Sequence, residues 1–322
     1  MPRLLVAIAL LFVALSGVAL AALAPGRTVT EPSRITALGV AHRSVVYAVD
    51  ATPDHRRCAF VRLWDTATRG LWTFGEQTTR ICKEGPSTGS GIASVATSGQ
   101  RVFWVTYVGG NIREYDLWTA TPRRTSPRRL AEASSDVDSG GRPLVLGAGT
   151  PDGVPYAVGA TITYVADDGR RHFRVSVGSP VRTLAAGIGP GTQRVVASLA
   201  DGRVVVLSKT GSVIRTSDYE PETVTSVLLA LPGAIVQTGL DVRVGATTVS
   251  LPTGATLLDY RQGRLVYAKG SQVRLHRVAT SEDTLLQTTP VPAGRQPLFS
   301  TDAWGSAWAD GTTVSWRGGP LP

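Results

Sequence analysis

Histidine is the side chain most often used for proton transfer and metal binding near neutral pH, so clustered histidines would be the first sign of a reactive site. The chain has four histidines: His42, His55, His172 and His276. They are far apart in the sequence, and none belongs to a nucleophile-elbow, zinc-binding or phosphate-loop motif. We therefore expect structural roles for them. The sequence favours a protein that is not an enzyme and that has no cofactor.

The acidic segment Ser134–Gly141 is the best candidate for a metal loop. Asp136 and Asp138 alternate with other residues ahead of a glycine pair. A calcium loop of the EF-hand type also needs a third oxygen ligand in register and a later glutamate, and both are missing here. The segment therefore predicts a flexible loop, and we expect no metal site.

The two cysteines, Cys58 and Cys82, predict one disulfide bond. An even number of cysteines in an exported chain is typical of a disulfide, whereas two thiols without a histidine at ligand spacing make a poor metal site.

The N-terminus predicts export. Arg3 precedes an apolar run from Leu4 to Leu15, and Ala19-Leu20-Ala21 has the small residues that signal peptidases prefer. We expect a signal peptide over residues 1–21. An uncleaved membrane anchor to residue 24 is the alternative, since the uncharged stretch is close to the ~20 residues that cross a bilayer. Either interpretation places the folded part in the cell envelope, the periplasm or the medium, and only the anchor would contact a membrane.

Composition predicts an all-β protein and argues against nucleic-acid binding. The 322 residues include 35 glycines and 20 prolines, which suit many short strands joined by turns. The net charge is +9, but 30 of the 33 basic residues are arginines scattered along the chain. The one cluster, Arg123-Arg124 with Arg128-Arg129, has no nucleic-acid-binding motif around it and is interpreted as a solvated loop.

A repeat organises the chain. Seven short apolar runs each follow a turn, and their first residues are spaced by 57, 52, 41, 40, 30 and 41 positions. A unit of about 40 residues with four strands is typical of a β-propeller blade. We therefore predict a single propeller over residues 25–322, with seven blades, or six or eight as alternatives. The runs begin at Ser44, Arg101, Gly153, Arg194, Ala234, Arg264 and Gly305.

The last repeat ends one strand early, after Thr313–Trp316. The β-branched segment Arg27–Thr30 could supply the missing outer strand and so remove an exposed sheet edge. We expect the propeller to be closed by this N-terminal strand.

Two segments resemble known propellers. Val61–Thr68, with its Trp-Asp pair, resembles the third strand of a WD40-type blade, and Leu207–Arg215 is similar to a hairpin of quinoprotein-like and TolB-like propellers. The resemblance spans about residues 34–317 and implies the fold. The Trp-Asp pair occurs once and the Gly-His pair of WD40 repeats is absent, so no functional residue is transferred.

The first two repeats exceed the unit length, and long loops on a rigid scaffold are where function usually resides. We expect an interaction module that binds a protein or a cell-envelope polymer there; an exported hydrolase, lyase or dehydrogenase acting on carbohydrate or peptide is the alternative. All seven tryptophans also fall in the first two and the last repeats, where they either fill the layers between sheets or form a partner or glycan surface. The predicted binding residues are Asp54, His55, Arg56, Arg57, Glu84, Asn111, Asp136 and Asp138.

Overall fold

The computed structural model describes residues 26–52, 54, 57–76, 89–109, 112–136, 143–231, 233–289, 291 and 296–322. Within these ranges the regular secondary structure is entirely β-strand. No helix among them is long and apolar enough to cross a membrane.

The strands form seven four-stranded antiparallel sheets, which we number as blades 1–7. Blades 1–3 contain, in order from the first to the fourth strand, β2 (Ile35–Ala41), β3 (Ser44–Val49), β4 (Phe60–Asp65), β5 (Leu71–Phe74); β6 (Ser90–Thr97), β7 (Val102–Gly109), β8 (Ile112–Thr121), β9 (Arg124–Asp136); β10 (Leu144–Leu146), β11 (Gly153–Val158), β12 (Thr161–Ala166), β13 (Arg171–Ser176).

Blades 4–7 follow the same pattern, except that the fourth strand of blade 7 is the first strand of the chain. Their strands are β14 (Val181–Ala186), β15 (Gln193–Leu199), β16 (Arg203–Ser208), β17 (Val213–Asp218); β18 (Val224–Ala230), β19 (Gly233–Thr238), β20 (Asp241–Val244), β21 (Thr247–Ser250); β22 (Ala255–Arg261), β23 (Arg264–Lys269), β24 (Gln272–Arg277), β25 (Glu282–Thr288); β26 (Leu298–Thr301), β27 (Gly305–Asp310), β28 (Thr313–Gly318), β1 (Arg27–Thr30).

The blades close into a ring. The first strand of every blade contacts the first strand of both neighbouring blades, including β26 of blade 7 against β2 of blade 1. The ring is sealed by β1, which pairs with β28 from Arg27 opposite Trp316 to Thr30 opposite Thr313. The predicted seven-bladed propeller and its N-terminal closing strand are both confirmed.

The burial of the second strands explains why the repeat can be recognised in the sequence. All six residues of β3 are buried. Val45 and Tyr47 pack towards blade 7, whereas Val46 and Ala48 pack towards blade 2. A strand covered on both faces reads as a continuous apolar run. Each of the seven apolar runs in the sequence corresponds to the second strand of a blade.

Asp-Gly pairs turn three of the hairpins, as expected from the tolerance of glycine for positive φ. The φ angles are 85° at Gly169, 88° at Gly202 and 58° at Gly311.

Two expectations about loops were wrong. The arginine cluster lies on the Pro122–Arg123 turn and along β9, the outermost strand of blade 2, and not in a loop. In the segment Ser134–Gly141, Ser134, Ser135 and Asp136 are the last residues of the same strand, and residues 137–141 lie outside the described residues. One face of an outermost strand is left to solvent, so arginines and serines can extend a β-strand and stay hydrated.

Candidate binding surfaces

Strand order gives the disc two faces. Because successive strands are antiparallel, the connections between blades and those between second and third strands lie on one face, which we call the upper face. The connections between first and second strands and between third and fourth strands lie on the other, the lower face.

The three predicted binding residues that the structure describes belong to upper-face segments of blades 1 and 2. Asp54 and Arg57 lie between β3 and β4, and Asp136 ends β9. The other five lie outside the described residues: His55, Arg56, Glu84, Asn111 and Asp138. Cys58 immediately precedes β4, and Cys82 is also outside the described residues, so the disulfide stays a prediction.

Arg57 joins two of these connections. Its guanidinium forms a salt bridge with Glu76, at 2.6 Å, and lies 4.8 Å from the ring centroid of Phe60. Thr52 donates a hydrogen bond from its hydroxyl to Asp54, and its Oγ1 accepts one from the Arg57 amide. The β3–β4 connection is thereby held against the start of the β5–β6 connection, with a mixed-charge surface about half exposed.

Blade 2 rises above the disc. β7 has eight residues and β8 has ten, whereas β3 and β4 have six each. Pairing continues to Gly109 opposite Arg113 and to Ile112 opposite Asp136, so the extra length lies at the upper end. Two to four extra residues add roughly 7 to 14 Å at about 3.4 Å per residue. We call the upper ends of β7, β8 and β9 (residues 106–109, 112–116 and 132–136) the blade-2 projection.

The projection carries an exposed apolar residue among charged ones. Ile112 at its tip is 66% exposed. Beside it Arg113 lies over the Tyr107 ring, with its guanidinium carbon 5.4 Å from the ring centroid, and Glu114 is exposed. The pairing of Ile112 with Asp136 places the backbone of Asp136 beside the tip of the projection.

The first strands around the centre of the ring carry three charged side chains, each in a salt bridge. Arg182 pairs with Glu222 at 2.7 Å towards the upper face. Asp259 and Arg261 pair at 3.3 Å towards the lower face, where Arg261 also donates a hydrogen bond to the Thr301 carbonyl. Burial raises the pKa of Asp259 above its usual value, although Arg261 acts in the opposite direction. The other residues of these strands are mainly aliphatic, serine or threonine.

Most of the tryptophans fill the layers between blades. Four are buried: Trp64, Trp104, Trp308 and Trp316. Trp72 and Trp118 are partly buried against the layer between blades 1 and 2, and Trp118 donates a hydrogen bond to Thr106. Trp304 is 42% exposed on the lower face, where Arg43 lies over its ring and His42 meets it edge-on.

A pocket of about 340 Å³ lies on the lower face between blades 1 and 2, where the sequence predicted no site. Its walls come from β3, β4, β5 and two turns of blade 2, so no single motif could have predicted it. No group of three or more histidine, cysteine, aspartate or glutamate residues suited to a metal ion occurs among the residues whose positions are described.

Several solved structures share the fold of this chain. A chain in the crystal structure of the Mitotic Checkpoint Complex is 14% identical, with a TM-score of 0.57 and 92% of each chain covered. The Neurospora crassa Pan2 WD40 domain is 11% identical, with a TM-score of 0.53, and the match covers 93% of this chain and 96% of that one. The Myceliophteria thermophila Cps50 (Swd1) β-propeller domain is also 11% identical, with a TM-score of 0.51 and coverage of 91% and 98%.

The shared feature is the WD40-type propeller fold. It confirms the resemblance seen at Val61–Thr68, which spans the third strand of blade 1 and the turn after it. No known protein-family model matches the sequence, and no curated protein matches it.

Proposed function

We propose that this chain is an exported, non-catalytic propeller that binds another protein through the upper face of blades 1 and 2. The observation that carries the proposal is the blade-2 projection, which presents Ile112 beyond the disc between charged neighbours. Protein interfaces commonly combine an apolar centre with a polar rim. An apolar side chain held at the tip of a paired hairpin fits that arrangement.

The rigidity of this surface also supports the proposed protein binding. The projection is built from continuous strand pairs, and the neighbouring β3–β4 connection is tied down through Arg57 and Glu76. A rigid surface loses less conformational entropy when it binds than a loose loop does. The two longest strands, β8 and β9, and the two longest connections, β3–β4 and β5–β6, all belong to blades 1 and 2.

The fold comparison points in the same direction. The chain with a TM-score of 0.57 comes from the crystal structure of a multiprotein assembly, the Mitotic Checkpoint Complex. Each charged side chain of the first strands is held in a salt bridge in this chain, which supports a binding role over chemistry in the centre of the ring.

The test of the proposed surface uses matched variants at equivalent positions. Residues 25–322 serve as bait for envelope and culture fractions of the producing organism, with recovered proteins quantified by mass spectrometry. Ile112→Asp, Arg57→Ala and Asn111→Ala should each reduce recovery of the partner about tenfold, the loss that corresponds to 1.4 kcal/mol. Leu240→Asp and Arg243→Ala should leave recovery unchanged; Leu240 is 43% exposed on the upper face of blade 5.

Equal recovery with all five variants, or a loss confined to the two in blade 5, would overturn the assignment of the surface. Binding should also protect amides of residues 106–116 from hydrogen exchange in the recovered complex. Export is tested separately. The chain isolated from envelope or medium should begin at Ala22, and retention of residues 1–24 in a membrane fraction would instead establish the anchor.

A further inference from the structure

The lower-face pocket between blades 1 and 2 has the size of a small-molecule site. Its volume of about 340 Å³ falls within the roughly 300–1,000 Å³ typical of ligand pockets. Leu63, Trp72 and Pro122 form its apolar part. It lies on the opposite face from the proposed protein-binding surface, so its occupancy is independent of that proposal.

Trp72 is held in place by the chain that leads into its strand. It pairs across the sheet with Leu63, and its indole ring covers Gly70, where any side chain would collide with the ring. The tryptophan is therefore preorganised, with its ring half-buried at the pocket wall. Its Nε1 donates no hydrogen bond to any residue that the structure describes.

Three further polar side chains of the pocket have no partner among the described residues. They belong to Ser44, Gln100 and Arg123, and the last two are exposed at the rim. Together with Trp72 they offer hydrogen-bond donors and acceptors that nothing else in this part of the chain uses. The rim position of Gln100 and Arg123 leaves the pocket accessible from solvent.

Asp65 supplies a negative charge and further acceptor sites. Its Oδ1 accepts hydrogen bonds from the Ala67 amide at 2.8 Å and the Thr68 amide at 3.1 Å. Burial raises the pKa of Asp65, but hydrogen bonds from Thr68 and Ala67 outweigh that effect and bring the pKa below its usual value. A carboxylate has about four lone-pair sites, so two backbone hydrogen bonds leave it able to accept more.

The charges of the pocket disfavour three kinds of ligand. One carboxylate and one guanidinium line it, so a simple anion would meet Asp65 and a simple cation would meet Arg123. A wholly apolar ligand would bury both charges without giving either a hydrogen bond, which is costly. A neutral ligand with many hydroxyl groups and one apolar face avoids all three penalties.

We propose that the lower-face pocket binds a neutral sugar unit of a polysaccharide. The C–H face of the sugar packs on the Trp72 ring, whose faces are electron-rich. The hydroxyl groups donate to Asp65 and Gln100 and accept from Arg123 and Gln100. The open rim lets neighbouring sugars of the same polymer extend beyond the pocket.

Binding is measured with purified residues 25–322 on an array of neutral, anionic and zwitterionic glycans, followed by calorimetry with the best ligand. Wild type should retain neutral glycans. Arg123→Gln and Gln100→Ala should each weaken binding about 2- to 10-fold, the effect of one lost hydrogen bond. Arg243→Gln is the matched control at the exposed rim of blade 5 and should bind like wild type.

Further binding measurements distinguish a polysaccharide ligand from a free sugar and test whether the pocket is the binding site. Binding to the polysaccharide but not to its monosaccharide shows that the polymer is the ligand, whereas equal occupancy by the monosaccharide shows a free-sugar site. Retention of no neutral glycan, equal binding by both pocket variants and wild type, or displacement of the glycan by free amino acids would overturn the proposal. Thermal melts check that the variants are folded. Both substituted side chains are exposed, so we expect the melting temperature to be unchanged.

Discussion

Tyr47 donates a hydrogen bond from its hydroxyl to Oε1 of Glu31, at 2.6 Å, in the interior of the joint between blades 7 and 1. Tyr47 lies on β3, and Glu31 immediately follows the closing strand β1. Arg62 of β4 donates to the same carboxylate at 3.1 Å, and both Tyr47 and Glu31 are buried. The closing strand is therefore attached to blade 1 through a charged hydrogen-bond network as well as through its pairing with β28.

Removing the Glu31 carboxylate should destabilise the protein strongly. Glu31→Ala leaves Arg62 without its ion-pair partner and Tyr47 without its acceptor, at a cost of about 3 kcal/mol or more. Tyr47→Phe removes one hydrogen bond to a charged group and should cost about 2 kcal/mol. Urea denaturation gives both free energies of unfolding. Arg34→Ala, in an exposed pair with Asp50, should cost less than about 1 kcal/mol, and a loss as large as that of Glu31→Ala would contradict the network.

Stability should decline at alkaline pH. Burial, followed by the hydrogen bond to Asp283, raises the pKa of Tyr267 from 10.0 to about 12, and burial with the hydrogen bond to Glu31 raises the pKa of Tyr47 further. Above pH 10 an unfolded tyrosine loses its proton while the folded one keeps it, so unfolding becomes more favourable as the pH rises. The contribution of the Tyr267 hydroxyl to the free energy of unfolding is fully present below pH 10. It is lost as the pH rises to about 12.

The measurement is the midpoint of urea unfolding between pH 8 and pH 12. Tyr267→Phe should show a shallower decline above pH 10 than wild type, and Tyr47→Phe should do the same. A decline of equal steepness in all three proteins would show that these hydroxyls do not cause it.

The contribution of the closing strand to the melting temperature should come from the face of the strand that packs against blade 1. Val29 packs into the layer between blades 7 and 1, whereas the side chain of Thr28 is exposed. Val29→Asp should lower the melting temperature because it places a charge in that layer, and Thr28→Asp should leave it nearly unchanged. Deletion of residues 25–33 should lower it most, in a cooperative transition. An unchanged melt after the deletion would mean that β1 contributes nothing to closure.

The predicted disulfide should be detectable in protein from an oxidising compartment. Intact mass should be 2 Da below that of the reduced chain, and Cys58→Ser should lower the stability by about 3 kcal/mol, as expected for a loop of about 25 residues. Two free thiols in the native protein would refute the bridge.

Burial on both faces makes the propeller legible in the sequence. The second strands lie between two neighbouring blades, so runs such as Ser44–Val49 and Arg264–Lys269 stand out as continuous apolar segments at a near-regular spacing. The missing strand of the last repeat points in the same way to Arg27–Thr30. The outer strand β9 escaped prediction because one side of it faces water, and its arginines and serines leave no apolar pattern to read.

The sequence by itself determined which segments are buried strands and that they build one propeller, because burial imposes a local pattern on neighbouring residues. The tertiary structure decided that the blades are seven and not six or eight. Only the tertiary structure decided which distant polar groups meet. The pocket that brings Asp65, Gln100 and Arg123 together depends on the packing of blade 1 against blade 2 and on the conformation of their turns. These contacts produce no pattern at a fixed spacing in the sequence. Exposed turn residues are not constrained by the core packing that produces the repeat.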